Sequence, residues 1–478
     1  MDYQALVQNY KDEMIFALQN VVRINSEKGE SFLTKDGQVY PFGQEVHSAL
    51  ETVLEMGKNM GFEVKNVDNY AGHIEFKGKS DKIMGILGHL DVVPAGNDWS
   101  FDPYGAEVKD GKIYGRGTTD DKGPVISCLY AMKALKDSGY EPDLTIRLIL
   151  GLDEETTWKS LDYYFEREPR PAFGFTCDAE FPIINGEKGT ITFELAKKFA
   201  KNNMEGLELR SLKGGFAPNS VADNCRVVVN SPKPEQYDDI KEKIAIYREE
   251  TGYKVNYKGV GKSLEITVTG VSAHGAKPEL GVNAVSVMMD LLGRFYFVNE
   301  DLNDFIAFYN QYIGFCLDGS KMGVGLKDEP SGNLIFNVGM AEMGKEAGKF
   351  VINIRYPVTF TDKDVYGPMD ELLTRYNIGL IKKGHKGPVY FPKDSKLITD
   401  LMAVYQEHTG DMESEPKVIG GGTYAKATPG IVAYGALFPG DEDLMHQKDE
   451  CLEIARLEQM TKIYVDAIYK LSQEEYNV

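Results

Sequence analysis

The sequence predicts an α/β protein in which a doubly wound, mostly parallel sheet is split by a long α+β insertion. Two observations support this prediction. Over residues 1–189, and again over 388–478, short apolar runs alternate with amphipathic helical patterns, as in a parallel sheet with helical crossovers. Over residues 190–387, strand-like and helical runs follow each other without that alternation. This stretch is therefore expected to form an inserted domain, long enough for two sub-lobes.

The first segment begins with helical patterns. Leu6–Val22 repeats apolar residues at helical spacing, and His47–Met60 does so again before Gly61, a residue type that commonly ends helices. Further helices are expected over Pro124–Leu135 and Thr157–Phe165. Short apolar or alternating runs predict strands at Glu63–Val67, His73–Lys77, Lys82–Gly88, Leu144–Leu150 and Phe173–Asp178.

The insertion and the last segment continue these patterns. Strands of the insertion are predicted at Thr190–Phe199, Cys225–Asn230, Leu264–Thr269, Leu334–Met340 and Phe350–Tyr356. Its helices are predicted at Glu235–Glu250, Asn283–Phe295 and Asp364–Tyr376. The α/β pattern then resumes with a helix over Ser395–His408, a strand over Pro416–Ile419 and a final helix over Asp449–Leu471.

Composition limits the classes of function. The 478 residues include 53 basic and 73 acidic side chains, and a net charge of −20 argues against binding to nucleic acid or to anionic membranes. The five cysteines include no C-x-x-C pair, so neither a disulfide framework nor a thiolate zinc site is expected. Because there is neither an 18-residue apolar run nor a signal-peptide pattern, we expect a cytoplasmic protein.

The stretch Gly85–Gly123 organises the rest of the chain. His89 and Asp91 follow a buried strand, at the edge of an α/β sheet where ligands bind. Since residues two apart share a face of extended chain, the Asp91 carboxylate can accept the second ring N–H of a metal-bound His89. Asp120 and Asp121 lie just before a helix. A histidine with several acids at strand ends suggests a hard or borderline metal, and two such ions.

Further acids follow other strands. Glu154 and Glu155 come directly after Leu144–Leu150, and adjacent residues at a strand end point in opposite directions. One of them can therefore bind a metal while the other faces the substrate water. Asp178 follows another strand, and His446 lies in the loop before the last helix.

The runs GHLDVVPAG, DPYG and DGKIYGRGTTDDKGP, with these later residues, resemble the co-catalytic metallopeptidases of the M20 clan. The resemblance covers essentially the whole chain and is greatest to the bacterial dipeptidase V branch. It implies a zinc-peptidase-like catalytic domain, with the insertion as a lid domain. The implied metal ligands are His89, Asp120 and Asp178 for one ion and Asp120, Glu155 and His446 for the other.

The resemblance also implies the chemistry of this site. Two divalent ions about 3.5–4 Å apart activate a water and polarise the scissile carbonyl. Glu154 is implied as the general base, and Asp91 as a catalytic residue beside His89. Zinc is the first choice of metal, with manganese or cobalt as alternatives, because imidazole and carboxylate ligands suit all three. His47, His73, His385 and His408 lack a motif and are expected to be structural.

Substrate contacts are implied in and near the insertion. His274, in the run VSAHG after a strand, is implied to stabilise the oxyanion. Arg355 lies on a predicted strand, from which its guanidinium can bind an α-carboxylate through two hydrogen bonds. Asn219, in a turn, and the backbone N–H groups of Gly421 and Gly422, at a helix start, are further candidates. Each of these residues also fits an ordinary structural or turn role.

The resemblance implies a metal-dependent dipeptidase for unblocked dipeptides. Asp178 supports this reading, since the carboxypeptidases and aminoacylases of the clan usually carry glutamate there. Asp153 departs from the branch pattern, and its charge is expected to raise the pKa of Glu154. One alternative is a deacylase of the same fold that cleaves N-acyl or N-succinyl amino acids. A second alternative is a catalytically silent peptide-binding protein.

The expected partner is a small peptide substrate. A monomer is favoured because the long insertion resembles the enlarged lid of the dipeptidase V branch, which completes the site within one chain. A homodimer, in which a lid histidine completes the partner's site, is the alternative.

Overall fold

The computed structural model describes residues 3–35, 37–201, 204–233 and 235–473. The chain divides into unit 1 (Met1–Gly186, Phe391–Lys417 and Gly422–Val478) and unit 2 (Glu187–Tyr390 and Val418–Gly421). The predicted boundaries, after residues 189 and 387, lie within about three residues of these divisions. Residues 418–421, which the sequence analysis places in the catalytic domain, belong to unit 2. That domain assignment, with the second domain as a lid, stays a prediction.

The helices and strands have the following bounds. The helices are α1 (Tyr3–Asn9), α2 (Lys11–Val22), α3 (Gln44–Asn59), α4 (Lys122–Asp137), α5 (Lys159–Phe165), α6 (Glu235–Thr251), α7 (Ala284–Leu292), α8 (Glu300–Tyr312), α9 (Asp362–Arg375), α10 (Lys396–Thr409) and α11 (Ile454–Leu471). Short 3₁₀ helices cover Pro278–Leu280, Ser320–Met322 and Tyr424–Lys426.

The strands are β1 (Phe32–Leu33), β2 (Val39–Tyr40), β3 (Glu63–Val67), β4 (Ala71–Phe76), β5 (Ser80–His89), β6 (Glu107–Lys109), β7 (Lys112–Tyr114), β8 (Leu144–Gly151), β9 (Phe173–Thr176), β10 (Ile184–Glu187), β11 (Gly189–Lys198), β12 (Glu208–Gly214), β13 (Asn224–Asn230), β14 (Lys254–Val260), β15 (Ser263–Thr269), β16 (Lys327–Asp328), β17 (Gly332–Asn333), β18 (Ile335–Met343), β19 (Ala347–Tyr356), β20 (Gly379–Lys386), β21 (Val389–Tyr390), β22 (Lys417–Ile419), β23 (Ile431–Ala433) and β24 (Cys451–Glu453).

The main sheet of unit 1 has a parallel centre and antiparallel margins. Within unit 1, seven of its strands lie in the order β10-β23-β9-β5-β8-β4-β3. Strands β23, β9, β5 and β8 run parallel to one another. On one side β4 pairs antiparallel with β8 and β3 with β4, and on the other side β10 pairs antiparallel with β23. The predicted α/β class with a mostly parallel sheet is therefore confirmed.

Apolar side chains cover both faces of this sheet. Met84 and Ile86 of β5 are fully buried in a core shared with α2, α3, α4 and α11. Leu87 of β5 and Ile149 of β8 point the other way and pack with α5 and Tyr424. Burial of one such side chain contributes about 1.5–3 kcal/mol, so the two covered faces hold the strand ends in place. Helices on both faces make the sheet doubly wound, as the sequence predicts.

Unit 2 contains an antiparallel sheet with helices packed on it. The strand order is β14-β15-β13-β12-β18-β19-β11-β20. In β11, Ile191, Phe193 and Leu195 enter a core shared with α6, α7, α8 and α9, while alternate residues lie on the opposite face. This α+β composition agrees with the predicted class, and the division into two sub-lobes remains a prediction.

Two helix predictions differ from the structure. The first helix is interrupted at Tyr10, which separates α1 from α2. The final helix begins at Ile454 rather than at Asp449, because β24 pairs antiparallel with β7 just before it. None of the helices that the structure describes has the length and apolar composition of a membrane span.

Candidate metal centre

The parallel strands of unit 1 bring three predicted site segments together. Strand β5 ends at His89, with β8 beside it and β9 on its other side. His89 is in register with Gly151, and Leu87 with Thr176. Because parallel strands end at the same edge of a sheet, the loops after β8 and β9 carry Glu154–Glu155 and Asp178 to the side of His89.

Asp120 lies between the two predicted histidine ligands. It occupies the loop between β7 and α4, directly before the N-cap residue Asp121, and the Asp120–Asp121 peptide bond is cis. Oδ1 of Asp120 lies 2.9 Å from Nε2 of His89, and Oδ2 lies 2.9 Å from Nε2 of His446. Each carboxylate oxygen thus faces a different imidazole, which is the arrangement that a bridging ligand needs.

The remaining predicted ligands complete both sides. Oδ2 of Asp178 lies 3.6 Å from Nε2 of His89, and Oε1 of Glu155 lies 3.0 Å from Nε2 of His446. Two ligands of one zinc ion, each bonded at about 2.0–2.2 Å, lie about 3–3.5 Å apart. These separations are compatible with shared cations, and the bridging role of Asp120 stays a prediction.

Burial and charge make this cluster strongly acidic. Burial, followed by the charge of Asp120, raises the pKa of Asp178 to about 7. Hydrogen bonds to Asp120 and Glu155 raise the pKa of His446 to about 11. Burial lowers the pKa of His89, but hydrogen bonds to Asp120 and Asp91 outweigh it and raise the pKa well above the usual value. Divalent cations would relieve the same excess of negative charge.

Donor atoms close enough for a shared ion occur in two sets among the residues that the structure describes. The sets are His89, Glu154 and Asp178, and His89, Asp120 and Glu155, each with its donor atoms within 4.8 Å of one another. Imidazole and carboxylate donors suit zinc, manganese or cobalt. The assignment of each ligand to one of two ions stays a prediction.

Asp91 holds the segment that carries the predicted base. Its Oδ1 accepts a hydrogen bond from the backbone N–H of Glu154 (3.1 Å), and its Oδ2 accepts one from that of Glu155 (3.2 Å). Nδ1 of His89 lies 2.9 Å from the backbone oxygen of Asp91 and 3.4 Å from its Oδ1. The backbone oxygen is thus the nearer partner of the imidazole, whereas the sequence predicts the carboxylate.

The carboxyl group of Glu154, the predicted general base, has a shifted pKa. Burial, and then the neighbouring charge of Asp178, raises the pKa of its carboxyl well above the usual value. Bound cations would act in the opposite direction and favour the carboxylate. A carboxyl group held between these influences is suited to accepting a proton and returning it.

Two acidic residues have roles that differ from the sequence argument. Asp121, which the sequence places only near a helix start, accepts a hydrogen bond from the backbone N–H of His89 at 3.0 Å. Asp153 accepts hydrogen bonds from the backbone N–H groups of Lys159 (3.1 Å) and Ser160 (2.9 Å), so it caps α5. No sequence signal separates Asp121 from a solvated cap residue. Asp153 lies six residues before α5, whose N-cap position is Trp158, so no local capping pattern in the sequence indicates this role.

In unit 2, two predicted substrate-contact segments pair with each other. The backbone N–H of Gly275 donates to the backbone oxygen of Asn219 at 2.7 Å, and an isolated β-bridge joins Ser220 to His274. The N–H of Ala276 donates to Nδ1 of His274 at 3.3 Å. Because this bond makes Nδ1 the acceptor, the neutral ring carries its proton on Nε2, where it can serve as a donor.

Arg355 lies on β19 in unit 2 and is 6% exposed. Its Nη1 donates to the backbone oxygen of Gly420 at 2.8 Å, and its Nε donates to Oδ1 of Asn353 at 3.0 Å. Burial lowers the pKa of Arg355 to about 10, so the guanidinium stays charged at neutral pH.

The glycine run of residues 420–422 is followed by a single 3₁₀ turn at Tyr424–Lys426, with Thr423 as its N-cap. The helix after the glycine run is therefore much shorter than the sequence predicts, so its N-terminus is a weaker site for an anion. The substrate roles of Gly421 and Gly422 stay predictions.

The chain matches Peptidase family M20/M25/M40 over residues 85–470. It belongs to this family. The "Putative dipeptidase YtjP" of Bacillus subtilis (strain 168) is 36% identical over 99% of this chain and 100% of its own length. M20 peptidases are metal-dependent hydrolases, so this chain is a peptide hydrolase, and the predicted resemblance is confirmed at the level of the family.

Solved M20 structures share the fold. The di-peptidase Dug1p of Saccharomyces cerevisiae has a TM-score of 0.56 at 12% identity, covering 99% of this chain and 98% of its own. The M20 metallo-carboxypeptidase Sso-CP2 of Sulfolobus solfataricus has a TM-score of 0.55 at 15% identity, covering 96% and 98%. Because a dipeptidase and a carboxypeptidase score alike, the fold alone does not distinguish their substrates.

Proposed function

We propose that this M20 peptidase is a metal-dependent dipeptidase that hydrolyses unblocked dipeptides. The observation that carries the proposal is the position of Glu154 beside a cluster of two histidines and three further carboxylates that fits two cations. A protein that only bound peptides would have no use for a half-buried carboxyl group at that point. The full-length relatives named dipeptidases support the substrate class.

The residues of this chain would divide the reaction as follows. When bound, two divalent cations lower the pKa of a water and polarise the scissile carbonyl. Glu154 accepts the proton of the attacking water and then donates it to the leaving amine, so the same carboxyl group acts as base and as acid. Asp91 keeps Glu154 in place through the hydrogen bond to its backbone N–H.

Recognition of the two substrate ends is the second part of the proposal. Arg355 binds the α-carboxylate, supported by its retained charge and fixed guanidinium. His274 donates its Nε2 proton to the oxyanion, which the bond from Ala276 to Nδ1 favours. Asn219, Gly421 and Gly422 are proposed as further contacts. The carboxylates of the metal cluster, Asp178 among them, bind the free α-amino group. Recognition of both ends restricts substrates to two residues.

A panel of four substrates tests the proposed specificity. The metal-free protein, prepared with a chelator and reconstituted with zinc or manganese, is assayed on a free dipeptide, the matching tripeptide, the N-acetyl dipeptide and the dipeptide amide. We expect cleavage of the free dipeptide alone. Cleavage of the acetylated form would indicate a deacylase. If neither metal restores activity on any of the four substrates, the peptide-binding alternative is favoured.

The proposed base is tested by a pair of neighbouring variants. Glu154→Gln should lower kcat about 10²–10⁴-fold and leave metal content unchanged, because it removes the proton acceptor alone. Glu155→Gln should instead lower metal content, since it removes a proposed ligand. Metal is counted by elemental analysis after dialysis. An active Glu154→Gln variant would remove this residue from the mechanism.

A further inference from the structure

Glu450 is a fully buried acid that none of the roles above includes. It lies four residues after His446, and its Oε1 accepts hydrogen bonds from three residues of the Asp120 loop. The donors are the backbone N–H groups of Gly117 (3.1 Å), Thr119 (2.9 Å) and Asp120 (3.2 Å). A single oxygen atom therefore fixes the backbone of the loop up to the residue that faces both histidines.

The second oxygen of Glu450 is paired with a buried cation. Oε2 accepts a hydrogen bond from Nη1 of Arg116 at 2.7 Å, and Arg116 is 2% exposed. The guanidinium lies 5.2 Å from the ring centroid of Trp99. Removing one member of such a pair leaves the other charged and buried, which is costly. The carboxylate thus has four donors and little freedom to move.

Backbone contacts join the same two segments. The N–H of Gly115 donates to the backbone oxygen of Glu450 at 2.9 Å, and the hydroxyl of Thr119 donates to the backbone oxygen of Cys451 at 3.1 Å. Strand β24 pairs with β7 immediately before the loop. Glu450 therefore lies where the segment that carries Asp120 meets the segment that carries His446.

We propose that Glu450 is a positioning residue that sets the geometry of the metal centre. It holds the Asp120 loop and the His446 segment in one arrangement, so that the two oxygens of Asp120 face the two histidines. This inference rests on the proposed metal centre and adds a residue outside the ligand set. It requires that Glu450 act on metal affinity beyond its contribution to folding.

Another buried ion pair of unit 1 provides a matched control. Oε2 of Glu75 accepts hydrogen bonds from Nε (2.8 Å) and Nη2 (2.6 Å) of Arg147, and both residues are 8% exposed. This pair joins β4 to β8 within the sheet. Glu75→Gln therefore breaks a comparable pair, and any loss of metal affinity through general destabilisation should appear in it as well.

The experiment titrates Mn²⁺ into chelator-treated full-length protein by calorimetry. In Glu450→Gln, the new NH₂ group must face either Arg116 or the three backbone N–H groups, all of which are donors. We expect Mn²⁺ affinity to fall about 10–100-fold, as for other residues that orient ligands, and Glu75→Gln to stay within about threefold of wild type. Glu450→Asp keeps the charge but is one methylene shorter, so an intermediate loss is expected.

Hydrogen exchange of the metal-free protein gives a second readout. Peptides covering residues 115–121 should exchange faster in Glu450→Gln than in wild type or Glu75→Gln. If Glu450→Gln does not fold, Mn²⁺ affinity and hydrogen exchange are measured on Glu450→Asp instead, and the inference is tested with that variant. Wild-type affinity and exchange in a folded Glu450 variant, or equal losses in Glu75→Gln, would overturn the inference. If wild type itself binds no Mn²⁺ or Zn²⁺, the proposed metal centre fails instead.

Discussion

Gly151 ends the strand that leads to Glu154, and it is expected to tolerate no side chain. A Cβ at this position would lie 2.3 Å from both Oη and Cε2 of Tyr424. Ordinary non-bonded contacts are about 3.5–4.0 Å, so the ring or the strand must move by more than about 1 Å. Tyr424 is fully buried, with its ring against Trp158 and His89 (centroids 5.4 and 6.2 Å apart), so it has little room to yield.

The cost of Gly151→Ala follows from this overlap. Overpacking a rigid core costs about 1–3 kcal/mol, and the fixed Tyr424 ring places this substitution near the upper value. A shift of the strand end would also displace Glu154, and a misplacement of about 1 Å can reduce kcat/KM about 100-fold. Both effects should therefore appear together, as a lower free energy of unfolding and a loss of dipeptide hydrolysis.

A double-mutant cycle tests the assigned cause. Free energies of unfolding are measured for Gly151→Ala, Tyr424→Leu and the double variant, with kcat/KM for each. Because leucine leaves space for the new methyl group, the double variant should be about 1–3 kcal/mol more stable than additivity predicts. Gly384→Ala, where an added Cβ has no neighbour within 4 Å, serves as a control. Additive effects, or a stable and active Gly151→Ala variant, would refute the reasoning.

Three further predictions concern stability and specificity. Burial lowers the pKa of His73 from 6.5 to about 3, so the unfolded chain takes up the proton first, and stability should fall by roughly 5 kcal/mol as pH drops from about 6.5 to 3. In denaturant unfolding experiments, the free energy of unfolding of His73→Gln should depend less steeply on pH across this range than that of wild type. The same pH dependence in both proteins would contradict the prediction. Arg355→Lys should lower kcat/KM for the free dipeptide about tenfold, because lysine cannot bind the carboxylate through two hydrogen bonds. The ratio of kcat/KM for the free dipeptide to kcat/KM for the dipeptide amide should fall as well. An unchanged ratio would count against the role of Arg355 in binding the carboxylate. Asn283→Ala removes the N-cap of α7 and should lower the free energy of unfolding by about 1 kcal/mol. Mn²⁺ affinity should stay unchanged. A weaker Mn²⁺ affinity in this variant would show that Asn283 does more than cap the helix.

The fold was predictable wherever burial leaves a pattern in the sequence. β5 and β8 are continuous apolar runs because both of their faces are covered, and their predicted bounds lie within two residues of those in the structure. β14 and β20 went unpredicted because they are the outer strands of their sheet and their residues are mostly exposed, so little apolar alternation remains. The predicted last helix includes the residues of β24, because the pairing of this strand with β7 depends on residues more than 300 positions away in the sequence.

The candidate site was predictable to the extent that strand ends determine it. His89, Glu155 and Asp178 follow apolar runs, and parallel strands bring such ends together whatever the loops do. The pairing of the Asn219–Ser220 turn with the His274–Gly275 segment is different, because it depends on backbone bonds between distant turns that carry no pattern of their own. The sequence also could not show whether an acid offers its oxygens to a cation or to backbone N–H groups.

That last distinction explains why the motif residues are so acidic. Asp91 accepts from the backbone of Glu154 and Glu155, Asp121 from that of His89, and Glu450 from that of the Asp120 loop. Three of the five predicted ligands, His89, Glu155 and Asp120, thus lie on backbone that is held by a carboxylate which is not itself a predicted ligand. Because a carboxylate can accept several N–H bonds at once, it can fix a loop that has no regular secondary structure. A count of acids in the motif therefore overstates the number of metal ligands, and substitutions at the non-ligand acids should loosen the metal centre without removing any atom from it.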